Sequence, residues 1–190
     1  MKCSQPYFLG FFIVFFISLG SCKGPEIRQP INQTSGSFIN QSVERNKALY
    51  QKEAQQLKKL QDSLEREGLV FRNSSNGFWY ATLTQDTTQT KLPRFGDHVL
   101  FSYELKDLRN QILVAQDTLN LLAYKVDQTN QELISGIREG IKLMHKGETS
   151  LFLLPSYKAY GYYGLTEVIP SNTPLQCTVT IHQINPKTNE

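Results

Sequence analysis

The most informative stretch of this chain is Pro155-Ser156-Tyr157-Lys158-Ala159-Tyr160-Gly161, and Pro170 follows nine residues after its last glycine. A second informative stretch lies upstream, Glu132-Leu133-Ile134-Ser135-Gly136-Ile137-Arg138-Glu139-Gly140-Ile141-Lys142-Leu143-Met144. Within it, four apolar side chains recur at the spacing of one helix face: Ile134, Ile137, Ile141 and Met144. Two such stretches in a fixed order are far more specific than either one alone.

The residues around these stretches show the alternation of β-strands. From His98 to Leu105, one face of the predicted strand is apolar: Val99, Phe101, Tyr103 and Leu105. Near the C-terminus a second apolar face consists of Leu175, Cys177, Val179 and Ile181. Shorter strands are predicted at Leu69-Val70-Phe71 and from Gly77 to Leu83. One helix packed on an antiparallel sheet predicts an α+β fold.

Together these features resemble FKBP-type peptidyl-prolyl isomerases. The stretch from Pro155 to Gly161 is similar to the signature loop of that family, and the stretch from Glu132 to Met144 is similar to its pocket strand end and short helix. The resemblance covers roughly residues 77 to 185. It implies an antiparallel half-barrel sheet wrapped on one short helix.

Prolyl isomerisation requires neither a nucleophile nor a metal. Amide resonance gives peptide-bond rotation a barrier of ~18–20 kcal/mol, and X–Pro is the bond whose cis form is thermally accessible. The twisted amide has lost that resonance, so an apolar pocket with selected hydrogen-bond donors favours it. The sequence contains no other catalytic pattern. Its three histidines are scattered, no His or Cys pair has metal-ligand spacing, and there is no phosphate-binding glycine loop. We expect no metal and no cofactor.

The resemblance also implies which residues form the pocket. Tyr103, Ile134 and Tyr160 match its catalytic positions. In the family, the backbone N–H at the position of Ile134 and the hydroxyl at that of Tyr160 donate to ligand carbonyls. For each matched residue, ordinary core packing is the alternative. The substrate-binding positions are Val114, Tyr124, Val126, Leu133, Ile137, Ile169 and Cys177.

Three positions depart from the family's aromatic pocket. Ile137 stands where the family has a pocket-floor tryptophan, and Cys177 stands where it has a late-strand phenylalanine. Val114-Ala115 stands where the family has a Phe-Asp pair, unless a shift in the alignment places Asp117 at the position of the aspartate. The loss of aromatic surface predicts attenuated activity. Two tyrosines directly after Gly161 are candidates to refill part of the site: Tyr162 and Tyr163.

Residues 1–21 are typical of a bacterial lipoprotein signal peptide. Lys2 gives a short basic start, an apolar run extends from Tyr7 to Leu19, and Leu19-Gly20-Ser21-Cys22 ends it with small residues before a cysteine. A membrane span takes about 20 apolar residues, and this run is shorter. We expect cleavage before Cys22 and lipidation of Cys22, because two or more acyl chains hold a protein stably on a membrane surface.

A tether and a helix are predicted between the signal and the strands. Residues 22–41 are rich in Gly, Pro, Ser, Asn and Gln, which predicts a flexible tether. Residues 42–68 have no Gly or Pro before Gly68, which predicts one long helix that Gly68 ends. An apolar heptad seam recurs along it but is interrupted by Asn46 and Glu53. Two interpretations stay open, a homodimer helix through residues 42–67 and a stalk whose apolar stripe lies on its own domain.

The composition fits one small folded domain, residues 69–190, which we expect to fold without the helical extension. Hydrophobic residues make up 39% of the chain, and 11 Phe and 9 Tyr can supply a core. The formal charge of +3 includes no Lys/Arg-rich block with interleaved aromatics, so nucleic acid is not an expected partner.

These features predict a membrane-anchored prolyl isomerase of the bacterial cell envelope that acts on proline-containing segments of exported proteins. The layout of lipobox, helix and substituted pocket resembles the gliding-motility-associated FKBP lipoproteins of gliding bacteria. Two alternatives remain, a non-catalytic peptide-binding module and a structural subunit of an envelope or motility assembly.

Overall fold

The computed structural model describes residues 35–85, 87–116, 121–128 and 133–185. The predicted signal peptide (residues 1–21), Cys22, most of the predicted tether and Asp117 lie outside these ranges. The chain divides into two units between Gln41 and Ser42. The described part of the first unit is the beginning of a helix, and the second unit contains the rest of that helix and all the strands.

The elements of the described ranges follow in chain order. They are α1 (Ser35–Arg66), β1 (Arg72–Asn73), β2 (Trp79–Thr84), β3 (His98–Lys106), β4 (Ile112–Val114), β5 (Leu122–Lys125), α2 (Ser135–Ile141), β6 (Thr149–Leu154), a 3-10 helix (Ser156–Lys158) and β7 (Leu175–Ile184). Within these ranges, no helix combines the length and hydropathy that a membrane span requires.

All of these strands join one antiparallel sheet. Its order is β1-β2-β6-β7-β3-β4, and β5 also pairs with β3. The long central pair places Tyr103 opposite Val179 and Leu105 opposite Cys177. The predicted α+β fold is therefore confirmed, with a long N-terminal helix before an antiparallel sheet.

Helix α2 lies close to β6 and β7 because its two glycines have no side chain. A Cβ atom at Gly136 would lie 2.6 Å from a Leu154 methyl group, and one at Gly140 would lie 2.8 Å from the Phe152 ring. Ile137 and Ile141 on the same helix are fully buried in the core. The predicted apolar helix face is confirmed, and the two glycines let this helix approach the sheet closely.

Helix α1 begins seven residues earlier than predicted, at Ser35 and not at Ser42. The end of the predicted tether is therefore helical. The physical reason is that no proline lies between Pro30 and Pro93, while the single Gly36 costs a helix only about 1 kcal/mol. Polar Ser, Asn and Gln residues, which suggested a tether, do not prevent a helix.

Gly68 ends α1, as predicted, through a hydrogen-bonded cap. Its φ angle is +101°, its N–H donates to the Glu65 carbonyl, and the N–H of Leu69 donates to the Leu64 carbonyl at 3.1 Å. The predicted strand at Leu69-Val70-Phe71 is wrong, because Leu69 belongs to this cap. The first strand follows at Arg72–Asn73.

One face of α1 packs on the domain that follows it. Glu53, Leu57 and Gln61 are buried at four-residue intervals, and Leu57 is fully buried. The ring of Tyr50 meets that of Tyr157 edge to face, with centroids 5.6 Å apart. The part of the apolar stripe around Leu57 therefore lies on its own domain, whereas Val43 is exposed. The independent folding of residues 69–190 and the homodimer both stay predictions.

Candidate functional site

The site predicted from the sequence lies where β3, β7, α2 and the loop after the 3-10 helix meet. All ten predicted pocket residues belong to one hydrophobic cluster. Within it, six are buried: Tyr124, Val126, Ile134, Ile137, Ile169 and Cys177. The other four are partly buried and are the ones that a ligand could reach without rearrangement: Tyr103, Val114, Leu133 and Tyr160.

Tyr103 lies near the middle of β3 with its ring against the core. The Phe101 ring stacks nearby, with centroids 6.2 Å apart and planes inclined by 23°. Burial raises the pKa of Tyr103, and the neighbouring Cys177 thiol raises this pKa further, while a hydrogen bond from Tyr160 opposes them. Tyr103 is therefore a neutral phenol that lies near the Tyr160 hydroxyl.

Tyr160 follows the 3-10 helix within the Ala159-Tyr160-Gly161 turn. Burial, then the nearby Tyr103 and Cys177 groups and the hydrogen bond to Tyr103, raise the pKa of Tyr160 to about 12. The hydroxyl thus keeps its proton throughout the physiological pH range. It is a hydrogen-bond donor at the partly exposed side of the cluster.

Ile134 is the residue before the first turn of α2, and its backbone is extended, with φ of −56° and ψ of 144°. Its carbonyl accepts hydrogen bonds from the N–H groups of Ile137 and Arg138 at 3.1 and 3.2 Å. Among the described residues, no backbone carbonyl accepts a hydrogen bond from the Ile134 N–H. Because buried N–H groups are nearly always paired, this donor is suited to a ligand carbonyl.

The walls of the site are fixed by local hydrogen bonds. The N–H of Asp127 donates to the Tyr124 hydroxyl at 3.2 Å, and the N–H of Val126 donates to the Asp97 carbonyl at 2.9 Å. On the other side, Ile169 pairs with Leu165 in an isolated bridge. Gly164 must be glycine there, since a Cβ atom would lie 2.3 Å from the Ile169 carbonyl oxygen.

The two departures from the family's aromatic pocket, Ile137 and Cys177, are both closely packed. Ile137 is 1% exposed and Cys177 is 0% exposed. Burial raises the pKa of the Cys177 thiol, so this cysteine remains a neutral, inert side chain. Both side chains therefore belong to the packed core, and their role as a pocket floor stays a prediction.

Tyr162 and Tyr163 do not refill the site, so this expectation is wrong. They are 74% and 90% exposed, and their rings contact each other with centroids 5.5 Å apart. The backbone turns them outward, because Gly161 has a φ angle of +58° and its carbonyl accepts from the Asn172 N–H at 2.8 Å. Both rings form part of an exposed loop.

Sequence reasoning missed a buried contact between α1 and the signature loop. The Glu53 carboxylate accepts hydrogen bonds from the N–H and the hydroxyl of Ser156, at 2.9 and 2.7 Å. The sequence pattern alone identifies Glu53 only as a polar residue that interrupts the apolar seam. A usable signal was present, since neither Lys nor Arg lies three or four residues from Glu53, while Leu57 continues the same stripe.

Comparison with known proteins agrees with this geometry. Residues 89–182 match the family described as FKBP-type peptidyl-prolyl cis-trans isomerase. A peptidyl-prolyl cis-trans isomerase from Pseudomonas syringae pv. tomato is 21% identical, with a TM-score of 0.57 over 74% of this chain and 96% of that one. FkpA from Escherichia coli is 20% identical, with a TM-score of 0.54 over 98% of this chain and 84% of that one. These two structures show the fold.

The family match spans β3 to β7, the elements that carry Tyr103, Ile134 and Tyr160. The domain that contains residues 89–182 therefore belongs to the FKBP-type peptidyl-prolyl cis-trans isomerase family.

Proposed function

We propose that this isomerase is attenuated, is lipid-anchored in the bacterial cell envelope, and acts on proline-containing segments of exported proteins, assisting their folding. The observation that carries the proposal of a working site is the pair of donors beside an aliphatic floor. These are the Tyr160 hydroxyl, which stays protonated, and the Ile134 N–H, which has no backbone acceptor among the described residues.

In this proposal the pocket acts mainly through its apolar walls. A planar amide loses hydration there, and the twisted amide, which has lost its resonance, loses less. The Ile134 N–H and the Tyr160 hydroxyl, which turns from Tyr103 toward the ligand, then donate to carbonyl groups of the bound segment. These hydrogen bonds hold the proline ring against the partly buried side chains of the site. A hydrogen bond contributes only about 1 kcal/mol, so most of the stabilisation comes from binding and desolvation.

The attenuation follows from the floor of the pocket. Ile137 and Cys177 are fully buried and present almost no surface to a proline ring, whereas aromatic contacts contribute roughly 0.5–1.5 kcal/mol beyond their buried area. A loss of that size lowers affinity by roughly twofold to twelvefold. We expect weak binding of short proline peptides with turnover retained.

The anchoring and the envelope location are supported by the sequence of the N-terminus. The lipobox Leu19-Gly20-Ser21-Cys22 provides an acylation site, and the combination with α1 supports a gliding-motility-associated lipoprotein of this family. Exposed apolar residues on α1, Val43 and Tyr50, support a homodimer through residues 42–67.

The test is a protease-coupled isomerisation assay on the chain from residue 23 onward, with a series of X–Pro peptides. We expect acceleration above the spontaneous rate that is proportional to protein concentration. Binding of proline peptides without any acceleration would instead support the second candidate, a non-catalytic peptide-binding module. The observation that favours this second candidate is the replacement of the pocket-floor tryptophan by Ile137.

A further inference from the structure

We infer that Glu53 is a positioning residue for the isomerase site, because it fixes the loop that carries Tyr160. Helix α1 would then be a working part of the site, and not only a spacer between the domain and its anchor. This inference rests on the isomerase function proposed above. It concerns a residue that lies outside the part of the chain that matches the family.

The contact is a buried carboxylate with two donors on one residue. Glu53 is 2% exposed, and Ser156 is 1% exposed. One carboxylate oxygen accepts from the Ser156 N–H at 2.9 Å, and the other accepts from its hydroxyl at 2.7 Å. Among the described residues, Glu53 forms no ion pair. These two hydrogen bonds therefore compensate for burying its charge.

Ser156 holds the backbone of the signature loop through hydrogen bonds of its N–H and carbonyl groups. It begins the 3-10 helix, where a backbone N–H has no partner within the helix, and Glu53 provides that partner. The Ser156 carbonyl accepts hydrogen bonds from the N–H groups of Ala159 and Gly161, each at 2.9 Å. Tyr160 lies between these two residues, so the position of Ser156 sets the position of the Tyr160 backbone.

Helix docking alone does not require a carboxylate at this position. Leu57, one turn further along the same face, is fully buried and supplies apolar packing. A buried acid is expensive unless donors satisfy it, so an apolar residue would suit a purely structural contact better. The acid at position 53 is explained by the two donors of Ser156 that it satisfies.

A second contact holds the same loop from α2. The Lys158 ammonium group donates to both oxygens of Glu139, at 3.1 and 2.9 Å. Without the Glu53 contact, the loop therefore remains attached at Lys158, and its geometry loosens without being lost. We expect a partial fall in turnover, smaller than or equal to the effect of removing the Tyr160 hydroxyl itself.

The experiment compares variants of the whole chain from residue 23 onward. Glu53→Ala removes the acceptor. Glu53→Gln preserves both contacts, since its amide oxygen can accept from the N–H and its amide nitrogen can donate to the hydroxyl oxygen. Leu57→Ala weakens helix docking but leaves the acceptor. Each is assayed for kcat/KM at a temperature where denaturation curves show it to be folded, alone and combined with Tyr160→Phe.

Glu53→Ala should lower kcat/KM roughly threefold to tenfold, the effect of misplacing one hydrogen-bond donor. Glu53→Gln and Leu57→Ala should stay within about twofold of wild type. In the Tyr160→Phe background, Glu53→Ala should cause little further loss, because both act through the same hydroxyl. The inference is overturned if Glu53→Ala retains full activity, if Leu57→Ala loses as much, or if the two losses multiply independently.

A second measurement separates this inference from the proposed function. With ring-labelled tyrosine, the NMR signal of Tyr160 is identified by its disappearance in Tyr160→Phe. Glu53→Ala should shift that signal, and Leu57→Ala should leave it in place. If wild type shows no isomerisation, the proposed function fails, while a shifted signal still supports the positioning role. An unshifted signal overturns the positioning role whatever the activity.

Discussion

Replacing Leu57 by alanine tests whether α1 is part of the folded unit. Leu57 is fully buried, and it lines a small cavity of about 200 Å³ together with Trp79 and Pro155. Buried Leu→Ala changes cost about 2–5 kcal/mol, because they remove apolar contacts and leave a void. The existing cavity lets neighbours relax, so we expect the lower half of that range. For a chain of this size the midpoint of thermal unfolding should fall by roughly 4–14 °C.

The assay is urea denaturation of the chain from residue 23 onward, followed by the fluorescence of Trp79. This is the only tryptophan, and it shares the cavity with Leu57, so its emission reports both helix docking and unfolding. Val43→Ala is the matched control on the same helix, since Val43 is 55% exposed and should change stability by less than about 0.5 kcal/mol. If Leu57→Ala is as stable as Val43→Ala, the helix does not belong to the cooperative unit and our account of α1 is wrong.

Three further predictions concern the anchor, the pocket floor and a buried acid. Cys22→Ala should leave unprocessed precursor that incorporates no labelled palmitate, whereas equal labelling would contradict lipidation at Cys22. Ile137→Trp should raise the affinity for proline peptides and give a fluorescence response on binding, at a cost of about 1–3 kcal/mol in stability. Wild type should respond little, because its Trp79 lies outside the pocket. An unchanged affinity in the variant would count against a pocket floor at this position. Burial raises the pKa of Glu148, but hydrogen bonds from His145, Ser150 and Thr82 outweigh it and hold the pKa below its usual range. Above pH ~4.5 the Glu148 carboxylate should therefore stabilise the fold, and this stabilisation should be lost as the pH falls further. Glu148→Gln should be less stable at pH 7 and should lose less stability in acid. An identical pH profile in the two proteins would refute the assignment.

The fold was predictable because its two motifs are local and its strands alternate. Tyr103 and Cys177 were assigned to apolar strand faces, and the pairing of β3 with β7 brings both to one cluster. The helical spacing of Ile137 and Ile141 indicated the apolar face that the structure buries. Such features depend on residue spacing within one element, and this spacing can be read directly from the sequence.

The predictions that were wrong or missed concern segments whose conformation depends on contacts with another segment of the chain. Leu69 has a strand-like composition, but its N–H completes the cap of α1. The outward direction of Tyr162 is set by a backbone hydrogen bond between Gly161 and Asn172, eleven positions apart. The role of Glu53 depends on Ser156, more than a hundred residues away, and no local pattern links the two.

If this pocket is a working isomerase site, it turns over prolyl peptides with the help of the Tyr160 hydroxyl. The measurement is the protease-coupled isomerisation rate of wild type and Tyr160→Phe, on the same X–Pro peptides and at matched folded concentrations. We predict that wild type accelerates isomerisation above the spontaneous rate. Tyr160→Phe should lower kcat/KM severalfold, in line with a hydrogen bond of about 1 kcal/mol, without unfolding. Absence of acceleration by wild type on every peptide, or full activity in Tyr160→Phe, would contradict the account.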